Sequence, residues 1–231
     1  MYAGNISESA ATTQAVIHPL LARRWSPRTF SARQVEPGEL VRLFEAARWA
    51  PSSFNAQPWA FILATREDAE GYSRLLSTLA DVNRQWAEQA PVLILAVAKL
   101  EFDHVARPNR HAFYDLGQAV ANLTVEATSR DLYIHQMGGF DVHLARELFA
   151  IPAGFEPVAV LALGYLEGPS APPGGRTRKP LADFVFSGGW ARPARLALEA
   201  ETQNRPPVIG PENFRAASAV LTAHCARASR P

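Results

Sequence analysis

Two short polar segments near the start of the chain carry residue types suited to ligand binding. In the first, RRWSPRTF, the side chains of Arg24, Ser26 and Arg28 occupy alternate positions. Pro27 fixes its own φ and biases Ser26 toward an extended backbone, so the three side chains can lie on one side and converge on an anion. When this segment is taken alone, an exposed charged turn is the favoured interpretation.

The second segment, APSSFNAQPWAF, gathers neutral donors and acceptors between prolines, which excludes it from a helix interior. Aromatic side chains lie beside the polar ones, a combination typical of a planar, partly apolar ligand that is hydrogen-bonded at its edge. A solvated turn followed by a strand is the alternative. The polar positions are Ser52, Ser53, Asn55 and Gln57, the prolines are Pro51 and Pro58, and the aromatic residues are Phe54, Trp59 and Phe61.

Two further segments carry hydrogen-bond donors suited to a ligand with acceptor oxygens or nitrogens. Arg176 and Arg178, in GGRTRK, supply planar guanidinium forks that match phosphate oxygens, although a solvated basic turn is the alternative. Gly138 and Gly139 follow a predicted strand and precede a predicted helix, where bare backbone N–H groups admit a close acceptor. A plain turn fits the two glycines as well.

Composition excludes several classes of function. The 23 basic and 22 acidic side chains leave a net charge of +1, so no overall field favours nucleic acid or an anionic membrane. Cys225 is the single cysteine, which excludes an intrachain disulfide and fits a reducing compartment; we therefore expect a cytoplasmic protein. No apolar run is long enough to span a bilayer.

Other catalytic groups find little support. The histidines have no metal-ligand spacing, so we predict no metal site, and we expect His135 and His143 to face solvent or pack locally. No Gly-x-Ser-x-Gly occurs, so Ser52 and Ser53 are interpreted as hydrogen-bonding groups rather than nucleophiles. Asp115 is interpreted as a surface or first-turn residue.

The polar segments are carried by alternating helices and strands with irregular connections, which predicts an α+β sandwich of helices around one sheet. The unbroken apolar run Pro91–Ala98 predicts a central strand covered on both faces. The other predicted strands are 59–64, 132–136 and 156–166, and the predicted helices are one carrying Val16 to Leu21, capped by Thr12 or Thr13, and those over 37–50, 67–79, 111–130 and 141–149. Residues 168–180 read as a loop.

Taken together, the first two segments resemble the FMN-dependent nitroreductase family, whose members carry an Arg-x-Ser-x-Arg/Lys-x-Phe run followed by Pro-Ser-Ser-x-Asn-x-Gln-Pro-Trp. The matching residues are 24–30 and 51–59, in the same order and at a similar separation. The resemblance covers about residues 22–190. It implies a three-layer α-β-α sandwich with a mostly antiparallel sheet, forming a homodimer with FMN at the interface.

The resemblance also assigns roles to residues. It implies that Arg24, Arg176 and Arg178 hold the FMN phosphate, that Arg28 lies near flavin N1 and O2, and that backbone donors of the Gly139-Phe140-Asp141 segment face N5 and O4. Asn83 would bond the pyrimidine edge, although a helix-capping Asn is the alternative. Trp86 stands where some members have Lys, and Gly138 where some have Glu. The full cofactor-binding set is Arg24, Trp25, Ser26, Arg28, Pro51, Ser52, Ser53, Asn55, Gln57, Asn83, Gln136, Met137, Gly138, Gly139, Arg176 and Arg178.

The implied function is an oxidoreductase in which NADPH or NADH delivers hydride to flavin N5 and a small organic acceptor, such as a nitroaromatic or a quinone, then receives it. The pocket walls expected for that acceptor are Trp25, Phe54, Trp86, Phe113 and Tyr114, each of which packing alone would also explain. The alternatives are another flavin reaction (dehalogenation, desaturation or flavin fragmentation) and flavin binding without turnover. Residues 1–190 would form the FMN-binding domain and 191–231 an extension, either an arm over the partner or a disordered tail.

Overall fold

The computed structural model describes residues 15–103, 105, 107–168 and 176–196. Contacts divide the chain into two compact units that meet in sequence at Arg178 and Lys179, and each is described by itself. The elements of the first unit are α1 (Pro19–Arg23), α2 (Pro37–Arg48), β1 (Trp59–Thr65), α3 (Ala69–Ser77), α4 (Asp81–Ala87), β2 (Val92–Lys99), α5 (Ala112–Ser129), β3 (Leu132–Met137), α6 (Val142–Leu148) and β4 (Phe155–Tyr165).

The four strands form one sheet in the order β1-β2-β4-β3, and all three pairings are antiparallel. Ile62 pairs with Leu95, Leu95 with Val160, and Val160 with Met137 across the sheet. Residues 92–98 of β2 are buried on both faces, which confirms the central strand that its apolar run predicts.

Helices cover both faces of the sheet because alternate strand residues point to opposite sides. On one face α2 and α5 pack through side chains such as Leu43, Leu116 and Leu123. On the other face α3, α4 and α6 contribute Leu75, Trp86 and Ala145. The predicted α+β class and the three-layer α-β-α sandwich are therefore confirmed.

Two predicted elements differ from the structure, and one helix was missed. The first helix begins only at Pro19 and is capped by His18, so Val16 and Ile17 lie outside it; proline is tolerated at a helix start and not in its interior. Thr12 and Thr13 lie outside the described residues. The apolar run at 59–64 predicts a buried strand, but it forms an edge strand whose side chains are mostly half-buried. Helix α4 was not predicted.

The described part of the second unit is short. A 3₁₀ turn at Leu181–Asp183 leads into a bridge between Phe186 and Pro193, and the rings of Phe186 and Trp190 lie 5.2 Å apart. The predicted boundary after residue 190 stays a prediction. The helix-prone segment 214–226 and most of 194–200 lie outside the described residues.

Over the described ranges, no helix combines the length and the apolarity needed to cross a bilayer. Over the same ranges, no three His, Cys, Asp or Glu side chains come together in an arrangement that would hold a metal ion.

Candidate functional site

The Arg24–Arg28 turn is held against the sheet by the residues that follow it. Phe30 is buried, and the Ser31 N–H donates to the Tyr165 carbonyl oxygen over 2.9 Å. Gly164 makes this close approach possible, because a Cβ there would lie 2.6 Å from Pro91 Cδ and 3.1 Å from the Phe30 ring. The turn therefore lies at the end of β4 nearest Tyr165.

Arg176, which lies near the C-terminal end of the first unit in sequence, hydrogen-bonds to the backbone at the start of the same turn. Its Nη1 donates to the Arg24 carbonyl oxygen, and its Nη2 donates to the Ala22 carbonyl oxygen over 2.9 Å. Its Nε is buried and has no hydrogen-bond partner among the described residues. Arg176 thus fixes the backbone of the turn and still has one buried donor to satisfy.

Arg24, Arg176 and Arg178 form what we call the cationic cluster. Burial lowers the pKa of Arg24, and the charges of Arg176 and Arg178 lower it further. None of the ion pairs found between described residues includes a member of the cluster. Three mutually repelling cations without a carboxylate among them are suited to a multiply charged anion.

His135 on β3 extends this site toward the centre of the edge strand. Its Nδ1 lies 2.8 Å from the Pro27 carbonyl oxygen, and its ring lies 4.4 Å from the Trp86 ring. Burial is the main cause that lowers the pKa of His135, and the charge of Arg28 lowers it further while the Pro27 carbonyl opposes the shift. The neutral ring is therefore favoured, with the proton on Nδ1 and with Nε2 as an acceptor.

The two glycines after β3 lie against the start of α4. The Asn83 side-chain amide donates to the Gly139 carbonyl oxygen over 3.1 Å, and the Ala80 N–H donates to the same oxygen over 3.0 Å. A Cβ on Gly139 would lie 2.8 Å from Asn83 Nδ2, whereas a Cβ on Gly138 would meet no heavy atom within 4 Å. Close packing against Asn83 therefore requires glycine at position 139, whereas the space beside Gly138 is open.

These groups follow one another along the β3 edge. Pro27, in the turn that carries Arg24, contacts His135 through its carbonyl oxygen. The His135 ring in turn packs against Trp86, which lies on α4 together with Asn83. On the same strand face, Tyr133 meets Trp25 edge-on at 6.1 Å. The structure therefore brings together the predicted residues Arg24, Trp25, Ser26, Arg28, Asn83, Trp86, Gly138, Gly139, Arg176 and Arg178.

Three residues that were predicted to contact the cofactor or the acceptor are placed differently in the structure. Trp86 is 9% exposed and belongs mainly to the core, with its indole Nε1 buried and unpaired among the described residues. Met137 is buried. The exposed Gln136 lies on the opposite strand face, where its Nε2 is 3.5 Å from Thr124 Oγ1 on α5.

The segment Pro51–Gln57, which we call the polar loop, is fastened to the start of α5. The Ser53 N–H donates to Asp115 Oδ2 over 3.0 Å, and the Gln57 N–H donates to Ser52 Oγ over 2.9 Å. Asp115 is only 2% exposed, so its interpretation as a surface residue was wrong, although it does lie in the first turn of α5. The sequence gives no sign of this contact, because its partners are 62 residues apart.

The polar loop holds an uncommon backbone shape. Phe54, Asn55 and Gln57 have positive φ angles of 54°, 53° and 47°, and such left-handed conformations cost roughly 1 kcal/mol or more each in non-glycine residues. Phe54 is 72% exposed, and its ring meets Phe102 edge-on at 5.9 Å. The guanidinium of Arg107 lies over both of these rings, 5.6 Å and 5.2 Å from their centres.

The polar loop and the cationic cluster lie at opposite ends of α5 within this chain. The loop contacts Asp115 in the first turn, whereas Arg23, next to Arg24, donates to the Thr128 carbonyl oxygen in the last turn. Thr128 follows Asp115 by 13 positions in α5, which corresponds to about 20 Å of helix at about 1.5 Å per residue. The exposed Phe113 and Tyr114 lie at the loop end of α5, so the five predicted pocket residues are divided between the two sites.

Comparison with known proteins identifies the family of this chain. A sequence model of the nitroreductase family matches residues 21–81 and 70–165. The chain belongs to the nitroreductase family. A Mycolicibacterium smegmatis relative described as an uncharacterized 15.4 kDa protein is 37% identical over 139 residues, which are 54% of this chain and 90% of that one.

Two further relatives carry more informative descriptions. A putative NADH dehydrogenase/NAD(P)H nitroreductase from Streptomyces coelicolor is 28% identical over 62% of this chain and 79% of its own. A crystal structure described as an oxidoreductase containing FMN superposes with a TM-score of 0.72 at 30% identity, covering 78% of this chain and 96% of that chain. Family membership and fold thus agree.

Proposed function

We propose that this nitroreductase-family protein is an FMN-dependent oxidoreductase that passes hydride from NADPH or NADH through flavin N5 to a small organic acceptor such as a nitroaromatic or a quinone. The observation that carries the proposal is the cationic cluster, in which guanidinium groups from both ends of the first unit meet without a carboxylate. The descriptions of relatives as an NAD(P)H nitroreductase and as an FMN-containing oxidoreductase support it.

The residues present fit a flavin mononucleotide in two respects. The cationic cluster offers fork-shaped donors for one terminal phosphate, and the buried, unpaired Nε of Arg176 is a donor that such an anion satisfies. The backbone after β3 offers polar groups beside open space at Gly138, where the edge of a flat ring can approach. In this arrangement Arg24 and Arg178 would bind the phosphate, and Arg176 would orient the turn and donate to the phosphate through its Nε.

The remaining residues along β3 bind and orient the ring. Asn83, whose amide donates to the Gly139 carbonyl oxygen, would hold the pyrimidine edge of the ring, and Arg28 would supply positive charge beside it. His135 supports the Arg28 turn through the Pro27 carbonyl and remains neutral at physiological pH. No side chain of this set needs to act as an acid or base for hydride transfer.

We further propose a homodimer in which the polar loop reaches the flavin held by the partner's cationic cluster. The length of α5 separates the two sites in one protomer, so a single small cofactor contacts both only if a second copy supplies one of them. The exposed Val41 and Trp49 border an open groove of about 590 Å³ between α2 and α5, an apolar surface available for such an interface.

Cofactor release and anaerobic reduction test the catalytic proposal. The purified protein is expected to be yellow, to release FMN and no FAD on denaturation, and to bleach when mixed anaerobically with NADPH or NADH. A colourless protein that cannot be reconstituted with FMN would refute the proposal. Bound FMN that neither nicotinamide reduces would leave a flavoprotein with another activity. A panel of acceptors, followed by flavin reoxidation, then identifies the substrate class.

Subunit complementation tests the shared site. Arg24→Ala and Asn55→Ala each impair a different contributor to the same cofactor site, so each homodimer is expected to have low reductase activity. A mixed dimer of the two variants contains one site with both defects and one intact site, and activity should return on mixing. Mixed dimers that stay as inactive as the separate variants would place both contributors in one protomer.

A further inference from the structure

The carboxylate of Asp115 is buried at a point where the structure joins α5 to the polar loop. The side chain is 2% exposed, and Oδ2 accepts the Ser53 N–H over 3.0 Å. A buried carboxylate is costly unless it is hydrogen-bonded, and a position in the first turn of an 18-residue helix favours its negative charge. Asp115 is therefore a strong acceptor aimed at the loop backbone.

The loop needs such support because its shape is strained. Phe54, Asn55 and Gln57 are all held at positive φ, a conformation that persists only when surrounding contacts enforce it. Backbone bonds join the Asn55 and Ala56 N–H groups to the Ser52 and Ser53 carbonyl oxygens, and the Phe54 ring lies near Phe102 and Arg107. Side-chain bonds to the loop backbone include the Asp115 bond to Ser53, the Ser52 bond to the Gln57 N–H, and a long bond from Gln118 Nε2 to the Pro51 carbonyl oxygen at 3.4 Å. Among these side-chain bonds, only the one from Asp115 involves a charged and buried group.

The way Asp115 binds the loop leaves other loop groups available. It uses the backbone N–H of Ser53, while the Ser53 hydroxyl and the Asn55 side-chain amide have no hydrogen-bond partner among the described residues. The Asp115 bond therefore fixes the loop backbone without consuming the side chains that the proposed flavin contact requires.

We propose that Asp115 is a positioning residue that holds the polar loop in the shape needed to bind the flavin ring. This inference rests on the proposed function. It differs from the role of the cationic cluster, because the loop contacts the ring and the cluster contacts the phosphate. Loss of Asp115 must then weaken FMN and riboflavin alike, since riboflavin has the same ring and no phosphate.

Three variants test the inference on the full-length protein. Asp115→Ala removes the acceptor, and Asp115→Asn keeps an uncharged oxygen that accepts a weaker bond. Thr128→Val is the matched control, because Thr128 is a buried polar residue on the same helix whose hydroxyl bonds only within α5. For each we would measure unfolding by urea, exchange of the Ser53 amide hydrogen in the apoprotein, and titrations with FMN and with riboflavin.

Asp115→Ala is expected to speed exchange of the Ser53 amide and to weaken both FMN and riboflavin binding at least tenfold, a change of about 1.4 kcal/mol. Asp115→Asn should fall between this variant and the wild type. Thr128→Val should lose stability without changing either the exchange or the affinities. If Asp115→Ala does not fold, the Asn variant decides by the same measurements.

Two results would overturn the inference while the proposed function stands. One is unchanged Ser53 exchange in the Asp115 variants. The other is faster exchange with wild-type affinity for both flavins, which would limit Asp115 to local stability. A wild-type protein that binds neither flavin would instead overturn the proposed function, and the exchange measurement would still decide whether Asp115 holds the loop.

Discussion

Replacing Arg24 with alanine is expected to weaken FMN binding strongly and riboflavin binding hardly at all. The substitution removes one guanidinium from the cationic cluster and leaves the Arg24 carbonyl oxygen, so the anchor from Arg176 to the turn survives. A hydrogen bond to a charged group contributes about 1.5–3 kcal/mol. At about 1.4 kcal/mol for each factor of ten, FMN affinity should fall by about 10- to 150-fold.

The stability of the apoprotein should respond differently from its affinity. Arg24 is crowded by Arg176 and Arg178, whose charges contribute to lowering its pKa, so removing its charge relieves repulsion and offsets the lost packing of its stem. We expect the unfolding free energy to stay within about 0.5 kcal/mol of the wild type. Arg176→Ala removes two hydrogen bonds to the turn and should lower both stability and affinity.

The assay is a pair of titrations, with FMN and with riboflavin, followed by quenching of flavin fluorescence, together with urea unfolding of the apoprotein. The ratio of the two affinities isolates the phosphate contribution. The reasoning is refuted if Arg24→Ala leaves FMN affinity unchanged, or if it weakens the two flavins by the same factor, because either result would locate the phosphate away from the cluster.

Three further outcomes are expected. Burial lowers the pKa of His135 in the folded protein below its ordinary value of 6.5. Between the folded pKa and 6.5, the unfolded chain therefore binds more protons than the folded one. The contribution of His135 to the unfolding free energy should be fully present above pH 6.5 and should fall as the pH drops toward the folded pKa. Urea unfolding across pH should show that His135→Gln flattens the dependence of stability on pH. Gly139→Ala should weaken the binding of both flavins several-fold, because the new Cβ displaces Asn83; wild-type affinity for both flavins in this variant would contradict the close packing seen at Gly139. Added salt should weaken FMN binding and spare riboflavin, since it screens charge pairs, and a salt-independent FMN affinity would argue against the cluster.

The sequence predicts the parts of this protein that depend on local patterns. The unbroken apolar run of β2, the periodic α2 and α5, and the glycine pair before Asp141 all specify their elements through neighbouring residues. Asp141 caps α6 as expected, accepting the Leu144 N–H over 2.9 Å. Helix α4 has no such signal, because Ala80 at its N-cap makes no side-chain bond and the helix is only 7 residues long.

The missed site residues depend on contacts distant in sequence. His135 meets Pro27 across 108 residues, and Asp115 meets Ser53 across 62. A histidine in a strand or an aspartate in a first helical turn has the same local appearance whether or not it supports a ligand site. Convergence of Arg24 with Arg176 also spans most of the chain, yet it was predicted, because the family resemblance carries long-range information that local patterns lack.

The clamp from Arg176 to the turn gives the protein an order of assembly during translation. Arg176 follows Arg24 by 152 residues, and the last strand of the sheet ends at Tyr165. A growing chain therefore emerges with the four described strands before the last two guanidinium groups of the cationic cluster leave the ribosome. The sheet can form first, and the cationic cluster is completed after it.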